Sequence, residues 1–365
     1  MKVVQLLYSG MGGHGSVAFS LLDADKRHEW QPVMGFLGVE PLLPAYVQSC
    51  EERGIEYQYL HAISGRPWRT WPSIYQWLNV CRPGAIVLHN PTALLPCYWY
   101  ARRCGIPLVV VEHEPNALKR RVEWVFSYLA MLLAERVIVL TSAYLDELKD
   151  SLWLFYNAAK VRLIPNGIDT ERFIPLAKLS IWSRTVRLGM AARFTTKKRQ
   201  DVLVSMLLHL RRLKPEIDWQ LSLAGGGENW ENVSQKVQAH SLGNCINLPG
   251  NLHEPDLINW FQTLDIYLHA SEGETLSTSL LQAMSTGLPI VASDVPGIRN
   301  LLCGETVCGL LVTDQLPLRF AEAVIELVEN NLRAEALAQS GRQLAVSSYS
   351  HNRMFAGYMQ ALRID

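Results

Sequence analysis

The stretch KVVQLLYSGMGGHGSVAFSLL (Lys2–Leu22) carries the first decision about the fold. Its apolar run VVQLLY reads as a buried strand, and SVAFSLL reads as a helix. Between them Gly10, Gly12 and Gly15 spell G-x-G-x-x-G, the fingerprint of a dinucleotide-binding turn. Strand, glycine-rich turn and helix open a βαβ unit, so a parallel sheet is expected. Whether the turn serves a dinucleotide or another ligand stays open at this point.

Working outward, the same rhythm continues. WQPVMGFLG (Trp30–Gly38), AIVLHN (Ala85–Asn90), PLVVVEH (Pro107–His113) and RVIVLTS (Arg136–Ser142) read as strands. Several are apolar without alternation, which suits parallel strands buried on both faces. Segments of helix length lie between them, such as Leu42–Arg53 and Ser73–Cys81. PLAKLSIWSR (Pro175–Arg184) breaks the pattern and reads as a domain link. The rhythm then restarts with TVRLGMAA, WQLSLAGG, CINLPG, LDIYLHA, LPIVASD and CGLLVTD, separated by helical patterns at Gln200–Leu213, Trp230–His240 and Ser277–Ser285. The tail, Leu318–Leu362, is helical in pattern. The expected fold is α/β: two Rossmann-like, doubly wound parallel-sheet domains, 1–178 and 179–349, with a final helix at 350–365 packing back on the first. A ligand cleft is expected between the domains, at the carboxyl ends of the strands.

Composition agrees with this and excludes other classes. A chain of 365 residues exceeds what one core usually serves. Lys plus Arg and Asp plus Glu number 34 each, so no global field points to a nucleic-acid partner. Seven scattered cysteines without a C-x-x-C read as reduced, buried thiols of a cytoplasmic protein. The N-terminus turns polar too soon for a signal peptide, and no apolar run approaches the ~18–20 residues needed to span a bilayer.

The chemistry concentrates in SEGETLSTSLLQAMSTGLPIVASDVPGI (Ser271–Ile298), read as strand end, acidic turn, amphipathic helix and a second strand. Glu274 falls where the helix should start, a place that favours a carboxylate, and a simple N-terminal cap is its plain structural reading. Gln282 follows eight residues later, an offset of roughly 80° on an ideal helix, so both could line one wall.

Ser271-x-x-Glu274 followed by Gln282-Ala-Met-Ser-x-Gly287-x-Pro289 resembles the E-x7-E region of retaining GT-B glycosyltransferases, closest to family four. The likeness runs through the chain in order: LIPNGIDTERF (Leu163–Phe173), ARFTTKKRQDVL with Arg193, Lys198 and Asp201 in register, LAGGGE, NLPGNL and LDIYLHAS. The resemblance implies transfer from a nucleotide-diphosphate sugar, built on UDP or GDP, to a glycan or lipid-linked acceptor. It implies that Arg193 and Lys198 hold the donor diphosphate, a task that suits a guanidinium and an ammonium. Glu274 would bond hydroxyls of the moved sugar, with backbone amides of Thr275, Leu276 and Ser277 nearby. Gln282 stands where relatives carry a second glutamate for the ribose, and it lacks that carboxylate's charge. His113, at a strand end, would contact the donor sugar near the reacting carbon; its plain reading is a histidine at a strand terminus between two acids. Glu112 and Glu114 flank it, but alternation points both away.

On the same resemblance, Gly12-Gly13 lies near the donor phosphate and acceptor, with His14 and Ser16 at the lip. Glycine there permits close backbone approach, which explains how the turn imitates a dinucleotide fingerprint. The rival dinucleotide oxidoreductase needs an acid after the second strand. Glu40 offers only a loose match, and the motifs of the second half stay unexplained. A non-catalytic sugar-nucleotide-binding subunit, suggested by Gln282, and a sugar-nucleotide epimerase are further alternatives. Asp23-Ala24-Asp25 mimics a D-x-D metal motif but sits in a surface turn, and no metal or cofactor is expected. The stretch Asn116–Val137, with Lys119, Arg120 and Arg121 beside Trp124 and Phe126, reads either as a core helix with a charged first turn or as a peripheral contact with anionic membrane. The latter would suit a lipid-linked acceptor in cell-surface polysaccharide or lipopolysaccharide assembly.

Overall fold

The computed structural model describes residues 1–10, 13–113, 119, 121–176 and 184–362. The chain divides into two compact units, Met1–Gly167 joined by the residues from His351 onward, and Ile168–Ser350.

The first unit alternates strand and helix: β1 (Lys2–Tyr8), α1 (Gly13–Asp23), β2 (Gln31–Gly38), α2 (Pro44–Glu52), β3 (Glu56–His61), α3 (Trp71–Cys81), β4 (Ala85–Leu88), α4 (Leu94–Cys104), β5 (Leu108–Val111), α5 (Arg121–Leu133), β6 (Arg136–Val139), α6 (Ser142–Leu152) and β7 (Val161–Leu163). The strands form one parallel sheet in the order β3-β2-β1-β4-β5-β6-β7. Side chains alternate across it. Val4, Leu6, Ile86, Leu88 and Val110 pack with Leu78, Tyr100, Met131 and Leu148 of α3, α4, α5 and α6. On the other face Leu7, Met34 and Phe36 pack with Ala18 and Phe19 of α1 and Tyr46 of α2. Local signals set the helix ends: Pro44 opens α2, Thr141 caps α6 by accepting from the Tyr144 amide at 3.1 Å, and Gly105 ends α4 at φ 65°.

The second unit repeats the scheme: β8 (Thr185–Ala191), α7 (Gln200–Leu213), β9 (Asp218–Ala224), α8 (Trp230–Ala239), β10 (Ile246–Gly250), α9 (Glu254–Thr263), β11 (Ile266–His269), α10 (Thr278–Ser285), β12 (Ile290–Ser293), α11 (Pro296–Leu302), β13 (Leu310–Val312), α12 (Pro317–Glu329) and α13 (Asn331–Ser348). Its parallel sheet runs β10-β9-β8-β11-β12-β13. The tail read as one helical stretch is divided into α12, α13 and α14 (His351–Leu362). α14 belongs to the first unit, where Trp30 meets Phe355 at 5.0 Å between ring centroids and the Gly167 amide donates to Met354 Sδ.

The division at Gly167/Ile168 comes earlier than the boundary read at 178/179, which itself lies outside the described residues. The reason is packing. Arg342 on α13 donates to the carbonyls of Thr170, Phe173 and Ser285, and Phe173 meets Phe261 edge-on at 5.9 Å. Those contacts bind the segment after Ile168 into the second unit. The seven cysteines carry no disulfide, and Cys104 is exposed where a buried thiol was expected.

Candidate functional site

In a doubly wound sheet the strand order reverses at one point, and the diverging loops there leave a crevice at the carboxyl ends of the strands. In the first unit this point lies between β1 and β4, and in the second between β8 and β11. Each expected site residue among the described ones can be placed against one of them.

At the first switch point, Gly12 lies outside the described residues, and Gly13 begins α1. The flanking glycines have their own local reasons. A Cβ at Gly10 would run into the Glu40 carboxylate, and one at Gly15 into the Tyr46 ring. Gly10 and Gly15 therefore have packing neighbours of their own, in the turn after β2 and in α2. His14 stands in the first turn of α1, its Nε2 donating to the Tyr8 carbonyl at 3.4 Å, and Ser16 on the same helix is exposed.

His113 follows β5 and is half-buried. Its Nε2 lies 2.9 Å from Nδ1 of His89, and the rings stack at 5.2 Å. His89 follows β4, is buried, and places its Nε2 3.1 Å from Gln5 Oε1 in the middle of β1. The His14 ring stands 6.3 Å from that of His113. Burial, and next the neighbouring His14, push the His113 pKa down to about 3. Burial, followed by His113 and His14, holds His89 well below the usual histidine range.

Glu112 is turned away from His113, as alternation requires. Its carboxylate accepts from Lys119 at 2.8 Å and from the Tyr144 hydroxyl at 3.0 Å. Lys119 is buried, bonds Ser127 Oγ at 2.7 Å and sits over the Trp124 ring at 4.7 Å. It is thus an interior ion-pair partner and not part of a basic surface, because the unpaired Glu112 would otherwise be a buried charge. Arg121 is exposed, while Glu114 and Arg120 lie outside the described residues. Asp23 is paired with Arg53 at 2.7 Å, and Asp25 accepts from the amides of Glu29 and Trp30.

At the second switch point, the turn after β8 is drawn onto the end of β11. The Arg199 amide donates to the Ala270 carbonyl at 3.0 Å, and the Glu272 amide to Lys197 at 2.9 Å. This pairing delivers Lys198 to Glu274, and the two form an ion pair. His269, the last residue of β11, is fully buried and places Nε2 2.7 Å from the same Glu274 oxygen, Oε1. The Tyr267 hydroxyl lies 3.3 Å from His269 Nδ1. Burial, reinforced by Lys198, keeps the His269 pKa well below its usual range, so a neutral imidazole donates to the carboxylate. Arg193 is half-exposed, 3.4 Å from Glu228. Around it the glycines of AGGGE are required: a Cβ at Gly225 would strike the Ala192 carbonyl, and one at Gly227 that of Phe194.

Glu274 does not start a helix. α10 begins at Thr278, with Ser277 as its N-cap residue, and Glu274 lies in the preceding loop. The bonds to Lys198 and His269 replace the capping role, and an 80° helical offset to Gln282 does not apply. Thr275, Leu276 and Ser277 are buried in that loop, and Gln282 is buried on α10. Gly297 in α11 explains how the loop is held, since a Cβ there would meet the carbonyls of Glu274 and Thr275.

Four residues here were not singled out from sequence: Gln5, His89, Tyr267 and His269. Each leaves a visible signal, a polar side chain or imidazole in or just after an otherwise apolar parallel strand.

Known proteins resemble the chain in both units. The family model described as Glycosyltransferase Family 4 matches residues 11–172, and that described as Glycosyl transferases group 1 matches 185–330. D-inositol 3-phosphate glycosyltransferase of Arthrobacter sp. (strain FB24) is 27% identical over 252 residues, covering 63% of this chain and 58% of its own. The GDP-mannose-dependent alpha-(1-6)-phosphatidylinositol monomannoside mannosyltransferase of Mycobacterium tuberculosis is 27% identical over 227 residues, 58% of either chain. The aligned part therefore spans little more than half the length of these two relatives. Among solved structures, Anabaena HepE in complex with UDP and glucose superposes with a TM-score of 0.81 at 17% identity, over 99% of both chains. That likeness establishes the expected fold, two Rossmann-like parallel-sheet domains of the GT-B class.

Proposed function

The chain belongs to glycosyltransferase family four, and on that premise we propose that it moves a sugar from a nucleotide-diphosphate sugar to a glycan or lipid-linked acceptor with retention of the anomeric configuration. The observation that carries the reading is the meeting of Lys198 and Glu274 at the second switch point. An ammonium suits a diphosphate and a carboxylate suits sugar hydroxyls, so this pair matches the two halves of such a donor.

On donor entry Lys198 exchanges its carboxylate partner for the diphosphate, joined by Arg193. Glu274, still held by His269, then accepts from a hydroxyl of the moved sugar. Backbone amides of Thr275, Leu276 and Ser277 complete that end, and Gln282 faces the ribose. Gly12 and Gly13 approach the phosphate, His14 and Ser16 stand on the acceptor side, and His113 meets the sugar near the reacting carbon. The two cations stabilise charge developing on the leaving diphosphate, so the step needs no divalent ion. With Glu274 engaged by hydroxyls, the donor phosphate takes the proton of the attacking hydroxyl on the same face that the leaving group quits, which retains configuration.

A lipid-linked acceptor fits exposed apolar side chains of the first unit: Val122, Val125 and Leu132 on α5, and Trp153 and Leu154 just after α6. We place the protein in the cytoplasm, in peripheral contact with the membrane, in cell-surface polysaccharide or lipopolysaccharide assembly. Among the described residues no helix is long and apolar enough to cross a membrane.

Calorimetric titration with UDP, GDP, ADP and NAD, followed by donor and acceptor panels with NMR analysis of the product anomer, tests the reading. Binding of a nucleoside diphosphate and a product of the donor's anomeric configuration are expected. Tight NAD binding without any nucleoside diphosphate would sink it, and donor binding without transfer to any acceptor would leave a binding subunit.

A further inference from the structure

We propose that Gln5 and His89 are positioning residues that hold His113 in one neutral tautomer, with its proton on Nε2 and with Nδ1 as the acceptor nitrogen. The function of that tautomer rests on the glycosyltransferase reading, but the geometry does not.

The three residues share one face of the sheet. Val4, Leu6, Ile86, Leu88, Leu108 and Val110 point to the core beneath α3 and α4. Gln5, His89 and His113 have the opposite parity on β1, β4 and β5 or directly beyond them, so alternation turns all three to the α1 side. Register fixes their heights: Gln5 lies level with Val87, and Val87 level with Val109. His89 and His113 therefore step upward toward the carboxyl edge, where the switch point opens.

The hydrogen bonds then run one way. Gln5 Oε1 can only accept, so His89 Nε2 carries the proton at that 3.1 Å contact. A neutral imidazole has one N–H, which leaves His89 Nδ1 as an acceptor. Its 2.9 Å contact with His113 Nε2 must be a bond donated by His113. A neutral His113 with its proton on Nε2 presents a lone pair at Nδ1. A sugar or acceptor hydroxyl meeting that nitrogen donates to it. Protonating His89 would put an N–H on its Nδ1 against the His113 N–H and break the chain, whereas protonating His113 would leave that bond and fill the Nδ1 lone pair; the titratable group facing the pair from α1 is His14.

Gln5 is an expensive way to fill this position. It is fully buried in an apolar strand, and among the described residues its Nε2 has no partner. A donor left unmade in such a place costs about 1–3 kcal/mol, which an aliphatic side chain would avoid. What the amide provides in exchange is direction, because the imidazole pair alone has no preference for either tautomer.

The test is 15N NMR of the full-length protein labelled at histidine, with the His113 ring assigned by its loss in His113→Asn. Wild type is expected to show a protonated Nε2 and a bare Nδ1. Gln5→Met and His89→Phe should each give mixed tautomers, and Gln5→Glu, which keeps an acceptor at the end, should restore the single form. An unchanged Nε2–H tautomer in both Gln5→Met and His89→Phe, or a wild-type proton on Nδ1, overturns the proposal. The second variant covers failure of either one to fold. In transfer assays Gln5→Met should lose roughly tenfold in kcat with an unchanged Kd for the nucleoside diphosphate. A tautomer change without transfer from any donor would refute the glycosyltransferase reading and leave the relay standing. Transfer with an unaltered tautomer would do the reverse.

Discussion

Glu274 Oε1 receives two donors of different kinds, the Lys198 ammonium and the neutral His269 imidazole. The ammonium is the one a diphosphate can draw away, while the imidazole is fixed at the end of β11. Lys198→Met should therefore lower kcat/KM by about 10²–10³, the usual loss when a charge-stabilising donor is removed. His269→Leu should cost less, about tenfold, and act on kcat with nucleoside-diphosphate Kd preserved, because it loosens the carboxylate without touching phosphate. Steady-state kinetics beside calorimetry separates the two, and full activity in Lys198→Met would overturn the assignment. The same histidines make stability depend on pH. His89, His113 and His269 have folded pKa values below the ordinary value of 6.5. Below that value the unfolded chain binds more protons, so stability is present at neutral pH and lost as pH falls toward about 3, where His113 protonates in the fold. The slope approaches about 1.4 kcal/mol per pH unit for each such histidine. Urea unfolding at pH 7.5 and pH 5 should show this loss, and His89→Phe should lessen it; an equal loss in the variant would contradict the sign.

At the scale of elements, the loop bearing Glu274 depends on α11. Gly297 lets that helix lie against the carbonyls of Glu274 and Thr275. A methyl there would press on backbone, which cannot move aside as a flexible side chain can. Gly297→Ala should thus cost about 1–3 kcal/mol by overpacking and also shift Glu274, lowering transfer beyond what the loss of folded protein explains. Thermal melts and kcat together check this, and a variant with wild-type kcat would show that the loop is held by other means. The dependence is not visible in sequence, since Gly297 lies far from Glu274 along the chain and follows Pro296 as an ordinary helix start. What is legible follows burial. α7 was readable at Gln200–Leu213 because its apolar stripe faces the sheet, and β4 and β5 because both their faces are covered. β3, EYQYLH, escapes because an edge strand is half solvated and polar, and β7 because it has only three residues, VRL. The site divides the same way. Lys198 and Glu274 belong to motifs and can be read in order. Gln5, His89 and His269 acquire meaning only from sheet register, which sets residues from separate strands beside one another.

On the scale of the whole molecule, two sheets of one topology carry different chemistry at equivalent places. The switch point between β1 and β4 gathers neutral histidines, and that between β8 and β11 gathers cations around a carboxylate. A nucleoside diphosphate should therefore be held by the second unit, where its charge meets Arg193 and Lys198, and the first should respond far less. Hydrogen–deuterium exchange with saturating UDP or GDP tests this across the chain. Slower exchange is expected at residues 192–200, 225–229 and 270–277, the backbone of the turns that carry those cations and Glu274. Exchange in β1, β4 and β5 should stay as in the free protein until an intact sugar donor replaces the diphosphate. Protection centred on residues 9–16 by the diphosphate, with none at residues 192–200, would make the glycine-rich turn and not the cations the main holder of the phosphate. Ligand stabilisation follows RT ln(1 + [L]/Kd), so a concentration of 100 Kd adds about 2.7 kcal/mol to whatever folds with the site. If the units unfold in separate transitions, that increment should raise the midpoint of Ile168–Ser350 and leave the other unmoved.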